Sequence, residues 1–145
     1  MRNVTVYTDG ALRRYKTFIV GAWAFYMYNT DAGFSHAEIE EYQGITNNQM
    51  ETKAVTQAVL AAPDHAMIDL YTDSQYVVLG INRNFVSKTN KSYWHDLKQA
   101  LAIKHSQIKV HHVMGHQDNV GNNIADLSMR AMLDELVAKR KSLKK

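Results

Sequence analysis

The chain has 145 residues, of which 46% are hydrophobic and 21% are charged. This length fits one compact domain, and this composition excludes wholesale disorder. The absence of cysteine excludes both a disulfide framework and a thiolate zinc site. No apolar run has the length of a membrane span, and the first residues lack the apolar segment of a signal peptide, so we expect a cytoplasmic protein.

Positive charge is concentrated at the C-terminus. The net charge is +3, although the last seven residues alone include Lys139, Arg140, Lys141, Lys144 and Lys145. Without these five residues the chain carries a net negative charge, so its body is not basic. We predict one domain over residues 1–138 and a basic tail over residues 139–145, which is either solvated or in contact with phosphate.

The N-terminal third has the pattern of β-strands. Residues 1–9 alternate between polar and apolar side chains, and they finish at the turn signal Asp9-Gly10, so we predict a strand that ends at Asp9. Aromatic and apolar residues predict a second strand over 20–29. Turn residues separate it from a third predicted strand over 34–43, antiparallel to the second.

Helices and strands alternate in the rest of the chain. Apolar residues recur at three- and four-residue spacing from near Asn48 to Pro63, which predicts an amphipathic helix. The later predicted elements are a strand over 67–72, a short helix over 76–81, a helix over 93–103, a strand over 108–113 and a helix over 125–136. This order indicates an α/β fold with a mixed sheet.

Two acidic residues occupy equivalent places in this pattern. Asp9 and Asp73 each follow the apolar residues of a strand and precede a small residue. If the two strands are neighbours, both carboxylates converge on the crevice where open α/β sheets bind ligands. A hard divalent cation such as Mg²⁺ would relieve their repulsion, and Glu51 and Asp126 could close the group from either side. Such a group suits phosphodiester hydrolysis with two metal ions.

Each of these four residues also has a purely structural interpretation. Asp9 could serve only the turn before a glycine, and Asp73 could cap the helix that follows it. Glu51 has near capping-box spacing and could serve only the end of the first helix, while Asp126 could be a solvated helical residue. The placement of all four together favours the metal site.

Four segments, in order, resemble the type 1 ribonuclease H family. They are Tyr7-Thr8-Asp9-Gly10, residues 46–51 (TNNQME), residues 71–76 (YTDSQY), and Gly115-His116 followed by Asn122 and Asp126. The resemblance covers most of the chain. It implies the ribonuclease H-like α/β fold, with a five-stranded mixed sheet of three antiparallel strands and then parallel strands, flanked by helices.

The resemblance also implies an activity and its metal site. The expected reaction is endonucleolytic hydrolysis of the RNA strand of an RNA–DNA hybrid, leaving 5′-phosphate and 3′-hydroxyl ends. It implies that two Mg²⁺ ions, which Mn²⁺ can replace, are held by Asp9, Glu51, Asp73 and Asp126. His116 corresponds to a mobile-loop histidine that assists proton transfer or product departure.

Further residues are implied to contact the hybrid. Those residues are Asn48 and Gln75 at base edges in the minor groove, Asn47 beside them, Thr46 and Asn122 near the backbone, and Gly10 where the main chain approaches the RNA. By contrast, His111 and His112 alternate faces on a predicted strand and are assigned ordinary surface or packing roles. No histidine spacing supports a zinc site.

Two features depart from the bacterial branch of the family. Its Gly/Pro-rich turn after the first Asp-Gly is replaced by residues 11–16 (ALRRYK), whose Arg13, Arg14 and Lys16 could hold phosphates instead. Its inserted helix with a basic loop is missing, and only the polar stretch 82–91 remains. We therefore expect weaker hybrid affinity, or assistance from the basic tail, a fused domain or a helper protein. Separately, we expect the protein to be a monomer.

Two other functions remain open at the level of sequence. Another nuclease of the same fold superfamily, such as a Holliday-junction resolvase, also clusters acidic residues around two metals. A non-catalytic hybrid-binding module would keep the shape without the activity. The ordered motifs argue against the first alternative, and the complete acidic quartet argues against the second.

Overall fold

The computed structural model describes residues 2–16, 18–28, 34–40, 46–82, 90–113 and 120–143. Side chains are not described at a few of these positions, among them residues 34–40, 120–122 and 140–143. The elements within these ranges are β1 (Arg2–Arg14), β2 (Ile19–Tyr28), β3 (Phe34–Glu40), α1 (Asn47–Ala61), β4 (Ala66–Thr72), α2 (Gln75–Asn82), α3 (Lys91–Ile103), β5 (Gln107–His112) and α4 (Val120–Leu143).

The strands form one mixed sheet in the order β3-β2-β1-β4-β5. β1, β2 and β3 pair antiparallel, whereas β4 runs parallel to both β1 and β5. Parallel neighbours need a crossover connection, and α1 and α3 lie in the two crossovers that lead into and out of β4. The prediction of an α/β fold with a mixed sheet and helices is confirmed.

Helices cover both faces of the sheet. Trp23 and Phe25 of β2 belong to a core cluster with α1 and α3, while Ala22 and Ala24 point the other way and pack with Leu133 of α4. Because β2 is buried on both faces, its sequence is a continuous apolar run rather than an alternating one. Each large side chain that is fully buried here contributes roughly 1.5–3 kcal/mol.

β1 is longer than the sequence predicts. Its parallel pairing with β4 stops at Thr8 and Thr72, but its antiparallel pairing with β2 continues until Arg14 lies opposite Ile19. The prediction that the strand ends at Asp9 is therefore wrong. The Asp-Gly signal marks the end of the parallel pairing, and glycine is needed because a Cβ on Gly10 would come within 2.5 Å of the backbone nitrogen of Glu51.

The ends of the helices also differ from the sequence prediction. α4 continues to Leu143, so residues 139–143 of the predicted tail extend this helix. α1 begins one residue after Thr46, which is its N-cap. Among the described helices, none combines the length and the apolar character that crossing a membrane requires.

Candidate active site

The register of β1 and β4 brings Asp9 and Asp73 together. Thr8 and Thr72 are the last residues paired between the two strands, and both are fully buried. The acidic residue that directly follows each threonine therefore stands at the same edge of the sheet. This geometry agrees with the equivalent strand positions that the sequence predicts.

Glu51 approaches from the first turns of α1. The Thr46 hydroxyl accepts a hydrogen bond from the Gln49 backbone N–H at 3.2 Å, and the Gln49 side chain accepts one from the Thr46 backbone N–H at 3.0 Å. This capping box fixes the start of the helix. Glu51 takes no part in it and lies on the buried face, with 5% of its surface exposed. The interpretation of Glu51 as a capping residue is wrong.

Carboxylate oxygens of Asp9, Glu51 and Asp73 lie within 4.8 Å of one another. Oε2 of Glu51 is buried and has no hydrogen-bond partner in the described part of the chain. An unsatisfied buried oxygen of this kind is costly, and a cation would satisfy it. Carboxylates are the protein ligands that Mg²⁺ and Mn²⁺ prefer, so these residues fit a divalent metal.

Asp126 reaches the same place from α4. It is 9% exposed, and its carboxyl group lies near enough to that of Asp9 to raise the pKa of Asp9. Nε of Arg130, one helical turn further on, lies 3.0 Å from Oδ2 of Asp126. The interpretation of Asp126 as a solvated residue is wrong. We call Asp9, Glu51, Asp73 and Asp126 the carboxylate cluster.

The other two structural interpretations also fail. Ser74 rather than Asp73 caps α2, because its hydroxyl accepts a hydrogen bond from the Val77 backbone N–H at 3.2 Å. The Ser74 backbone N–H in turn donates to the Thr72 hydroxyl at 3.1 Å. Asp9 lies inside β1 and not in a turn. Asp9 therefore does not form a turn, and the cap of α2 is Ser74.

Burial and mutual repulsion perturb the cluster. Burial, followed by the negative charge of Asp73 and contacts with Asp126, raises the pKa of Asp9 to about 8. Burial and the charges of Asp9 and Asp73 raise the pKa of Glu51 well above its ordinary value. The Gly10 backbone N–H, which donates to Oδ1 of Asp9 at 2.9 Å, offsets part of this effect. A bound cation would stabilise the ionised form of both side chains.

The cluster lies in an open trough along the edge of the sheet. One part has a volume of about 400 Å³ and is lined by the four carboxylates together with Gly10, Ala11, Leu12, Arg13, Asn47, Met129, Arg130 and Leu133. The adjoining part has a volume of about 290 Å³ and is lined by Asn47, Asn48, Glu51, Asp73, Ser74, Gln75 and Tyr76. The amide side chains that are predicted to contact the hybrid, those of Asn47, Asn48 and Gln75, therefore lie directly beside the carboxylates.

The remaining predicted residues have different surroundings. Thr46 is exposed and its side chain is occupied as the N-cap of α1. Gly10 is buried against the α1 backbone, which gives its lack of a side chain a packing role. Asn122 lies in the first turn of α4, and its side chain is not described. His116 and the preceding Gly115 lie outside the described residues.

Sequence reasoning did not identify a hydrogen-bonded network beside the amides. The Gln49 side chain donates to Oδ1 of Asn90 at 2.8 Å, and the Asn90 amide donates to the Tyr76 hydroxyl at 3.3 Å. Trp94 Nε1 donates to the same hydroxyl at 2.7 Å. Asn90 has a left-handed backbone with φ of 61°, which asparagine tolerates better than most residues. This network joins the starts of α1, α2 and α3.

Arg130 was also missed, although a sequence signal for it exists. It follows Asp126 by four residues within a predicted helix, and this spacing places opposite charges side by side. His111, assigned an ordinary role, has its Nε2 2.8 Å from Oδ1 of Asp69 and stacks on Tyr71. His112 is exposed.

The mixed α/β sheet with carboxylates gathered at its edge defines a class of metal-dependent hydrolases that act on phosphodiesters. Comparison with known proteins identifies the family. The model of the RNase H family matches residues 1–133. The chain is 32% identical to the Ribonuclease H of Caldicellulosiruptor saccharolyticus, covering 94% of this chain and 99% of that protein.

Other relatives agree. Identity to the Ribonuclease H of Clostridium botulinum is 34%, covering 93% of this chain and 98% of that protein. Identity to that of Orientia tsutsugamushi is also 34%, covering 85% and 77%. The chain belongs to the ribonuclease H family, whose members are divalent-metal-dependent hydrolases that act on RNA–DNA hybrids. The resemblance to the ribonuclease H family is confirmed. The prediction that the protein is a ribonuclease H hydrolase is also confirmed.

Proposed function

We propose that this protein hydrolyses the RNA strand of RNA–DNA hybrids endonucleolytically, with two divalent ions, and leaves 5′-phosphate and 3′-hydroxyl ends. The observation that carries the proposal is the meeting of Asp9, Glu51 and Asp73, whose carboxylate oxygens lie within 4.8 Å of one another. Membership of the ribonuclease H family supports the choice of substrate.

The carboxylate cluster would hold two Mg²⁺ ions, for which Mn²⁺ can substitute. When bound, the ions supply the positive charge that favours attack by water on the scissile phosphate and departure of the 3′ oxygen. The chain itself supplies rigidity, because Asp9, Glu51 and Asp126 lie on three different elements and are largely buried. Arg130 holds the Asp126 carboxylate from outside the cluster.

The amides beside the cluster would orient the hybrid. Asn47, Asn48 and Gln75 line the same part of the trough as Glu51 and Asp73. Amide groups both donate and accept hydrogen bonds, so they contact base edges across a wide, shallow minor groove without selecting a sequence. Bases held there would bring a backbone phosphate next to the carboxylates.

The other residues of the predicted site have supporting roles in this proposal. His116 would assist proton transfer or the departure of the product. Thr46 and Asn122 would contact the nucleic-acid backbone, and the main chain at Gly10 would approach the RNA. Burial of Gly10 against α1, together with its N–H bond to Asp9, also keeps the neighbouring carboxylate in place.

A substrate panel tests the proposal. The protein would be incubated with an end-labelled RNA–DNA hybrid, duplex RNA, duplex DNA and branched DNA, each with Mg²⁺, Mn²⁺ or EDTA. We expect cleavage of the RNA strand of the hybrid alone, only with a divalent ion. The 5′ ends of the products should accept ligation without prior phosphorylation, which reports a 5′-phosphate.

Two results would contradict the proposal. Preferential cleavage of branched DNA would indicate a resolvase-like nuclease of the same superfamily. Retention of the hybrid without cleavage in either metal would indicate a non-catalytic hybrid-binding module.

A further inference from the structure

β1 and β2 continue as paired strands past the carboxylate cluster, and β3 pairs with the other side of β2 over residues 19–25. Beyond Asp9 the two strands remain paired from Gly10 opposite Trp23 to Arg14 opposite Ile19. At about 3.4 Å per residue, these five pairs project roughly 17 Å from the carboxylate cluster. We call residues 10–16 and 18–23 the hairpin arm. One wall of the trough is formed by its residues 10–13.

The tip of the hairpin arm is held against α4. The Tyr15 backbone N–H donates to the Phe18 carbonyl at 2.9 Å, and the two rings stack with centroids 4.7 Å apart. Both side chains pack in the cluster that contains Val137 of α4, and Arg13 forms an ion pair with Asp134 of the same helix. A surface ordered in this way loses little further freedom when a ligand binds.

The hairpin arm carries two exposed cations beyond the trough. Arg14 and Lys16 are both exposed, and among the described residues no carboxylate forms an ion pair with either of them. Arg14 follows Gly10 and Leu12 in the strand alternation, on the face of the sheet from which Glu51 approaches. Arg13 lies on the opposite face, beside α4.

The trough offers a nucleic acid little free positive charge. The two divalent ions of the proposed function would only balance the four carboxylates at its centre, and the two described cations that line it, Arg13 and Arg130, are already paired with Asp134 and Asp126. Its other part is lined by amides, hydroxyls and the carboxylates of Glu51 and Asp73, with no described cation. A phosphate backbone therefore needs positive charge from outside the lining, and the hairpin arm places Arg14 and Lys16 next to it.

We propose that the hairpin arm is a phosphate-binding arm, on which Arg14 and Lys16 contact backbone phosphates of the RNA–DNA hybrid. The arm holds the duplex beside the part of the trough that residues 10–13 line, whereas Asn48 and Gln75 line the other part, so the duplex is contacted at two places along the trough. This inference rests on the proposed function and adds the surface that grips its substrate. The contacts position the duplex and do not select a sequence.

Binding measured over a range of salt concentrations tests this role. A fluorescein-labelled RNA–DNA hybrid would be titrated with the protein in Ca²⁺, its anisotropy followed at several KCl concentrations, and its integrity checked on a gel. The variants are Arg14→Gln, Lys16→Gln and the double variant. The matched control is Lys109→Gln, which removes the same charge from an exposed position on the edge strand β5.

We expect each single variant to weaken binding several-fold at low salt. Each should also reduce the slope of log Kobs against log salt by about one, and the double variant by about two. Lys109→Gln should keep the wild-type slope. Because Arg14 and Lys16 do not touch the carboxylate cluster, the double variant should raise KM while kcat at saturating hybrid stays near wild type. Melting temperatures would verify that every variant is folded.

The outcomes separate the arm from the proposed function. If the wild type binds and cleaves the hybrid while the double variant keeps the wild-type affinity and slope, the arm proposal is overturned and the function stands. An equal loss in Lys109→Gln would trace the effect to net charge and would also overturn it. If the wild type neither binds nor cleaves the hybrid, the proposed function itself fails.

Discussion

The carboxylate cluster and the hairpin arm adjoin each other on β1, yet different forces order them. The cluster lies at the edge of the core, where strand register and helix packing position each side chain, and where burial raises the pKa of Asp9 and Glu51. The arm is ordered by packing of its tip on α4, and its cations Arg14 and Lys16 remain in water.

This difference predicts two kinds of response to mutation. A catalytic set of buried, interacting groups depends on every member, because each removal alters a shared charge balance. Exposed phosphate contacts act more independently, so each removal subtracts a part of the affinity. Substitutions in the cluster should therefore abolish turnover, whereas substitutions in the arm should change affinity in steps.

The largest effect is expected at Asp73. Asp73→Asn removes a ligand charge but no core packing, so turnover in Mg²⁺ should be lost while the melting temperature stays close to that of wild type. Asp69→Asn is the matched control, because this residue lies on β4 four positions earlier and pairs with His111 on the surface. Cleavage assays and thermal melts of both variants check this. Turnover near the wild-type rate in Asp73→Asn would contradict the assignment of the cluster.

A smaller loss is expected at His116. A residue that assists proton transfer without holding metal accelerates the reaction but is not indispensable. His116→Ala should therefore slow hybrid cleavage without abolishing it, and hybrid binding should be unchanged. Single-turnover rates measured over a range of pH would check this, with His112→Ala, an exposed histidine of β5, as control. Equal cleavage rates for His116→Ala and His112→Ala would contradict the proposed role of His116 in the reaction.

Gly10→Ala should damage both stability and activity. The added Cβ would meet the backbone nitrogen of Glu51 at 2.5 Å and the carbonyl carbon of Met50 at 2.6 Å, and rigid backbone cannot move aside easily. Overpacking of this kind costs about 1–3 kcal/mol of unfolding free energy. Urea denaturation should reveal the cost, and cleavage should fall further than stability because Glu51 shifts with α1. A variant as stable and active as wild type would show that the contact is not close in solution.

The stability of the metal-free protein should depend on pH. The pKa of Asp9 is about 8 in the folded state against 3.8 for an ordinary aspartate, so the folded state binds more protons than the unfolded state between these values. The free energy of unfolding should therefore decrease as pH rises from about 4 to 8. Mg²⁺ should diminish this decrease, and so should Asp9→Asn. Melts in EDTA across this range, with and without added Mg²⁺, test it; a melting temperature that rises with pH would contradict the repulsion within the cluster.

The smallest effect is expected at the C-terminus. Residues 139–143 continue α4, beyond its buried Val137. Deletion of residues 139–145 tests whether this basic segment assists hybrid binding. If the hairpin arm makes most of the phosphate contacts, the deletion should change the salt slope of hybrid binding less than the double variant Arg14→Gln/Lys16→Gln does. A larger change in the salt slope after the deletion would indicate that the basic tail, and not the hairpin arm, makes most of the phosphate contacts.

The sequence by itself determined the order of elements and the identity of the carboxylates. Hydrophobic periodicity reports which residues face a core, so most strands and helices were located to within a few residues, whereas β1 and α4 are longer than predicted. The sequence also predicted that Asp9 and Asp73 lie close together, because parallel neighbouring strands end at the same edge of the sheet. The ordered motifs then predicted that Glu51, and Asp126 on a distant helix, belong to the same site.

Only the tertiary structure decided where β1 ends and how the site is surrounded. The extension from Gly10 to Arg14 depends on pairing with β2, which overrides the local Asp-Gly turn signal. Similarly, Arg13 and Asp134 lie 121 residues apart in the chain, so no local pattern indicates that they meet. Local patterns reflect burial and backbone preference, but which surfaces adjoin is fixed by the packing of distant segments, and this packing puts a basic hairpin next to an acidic cluster.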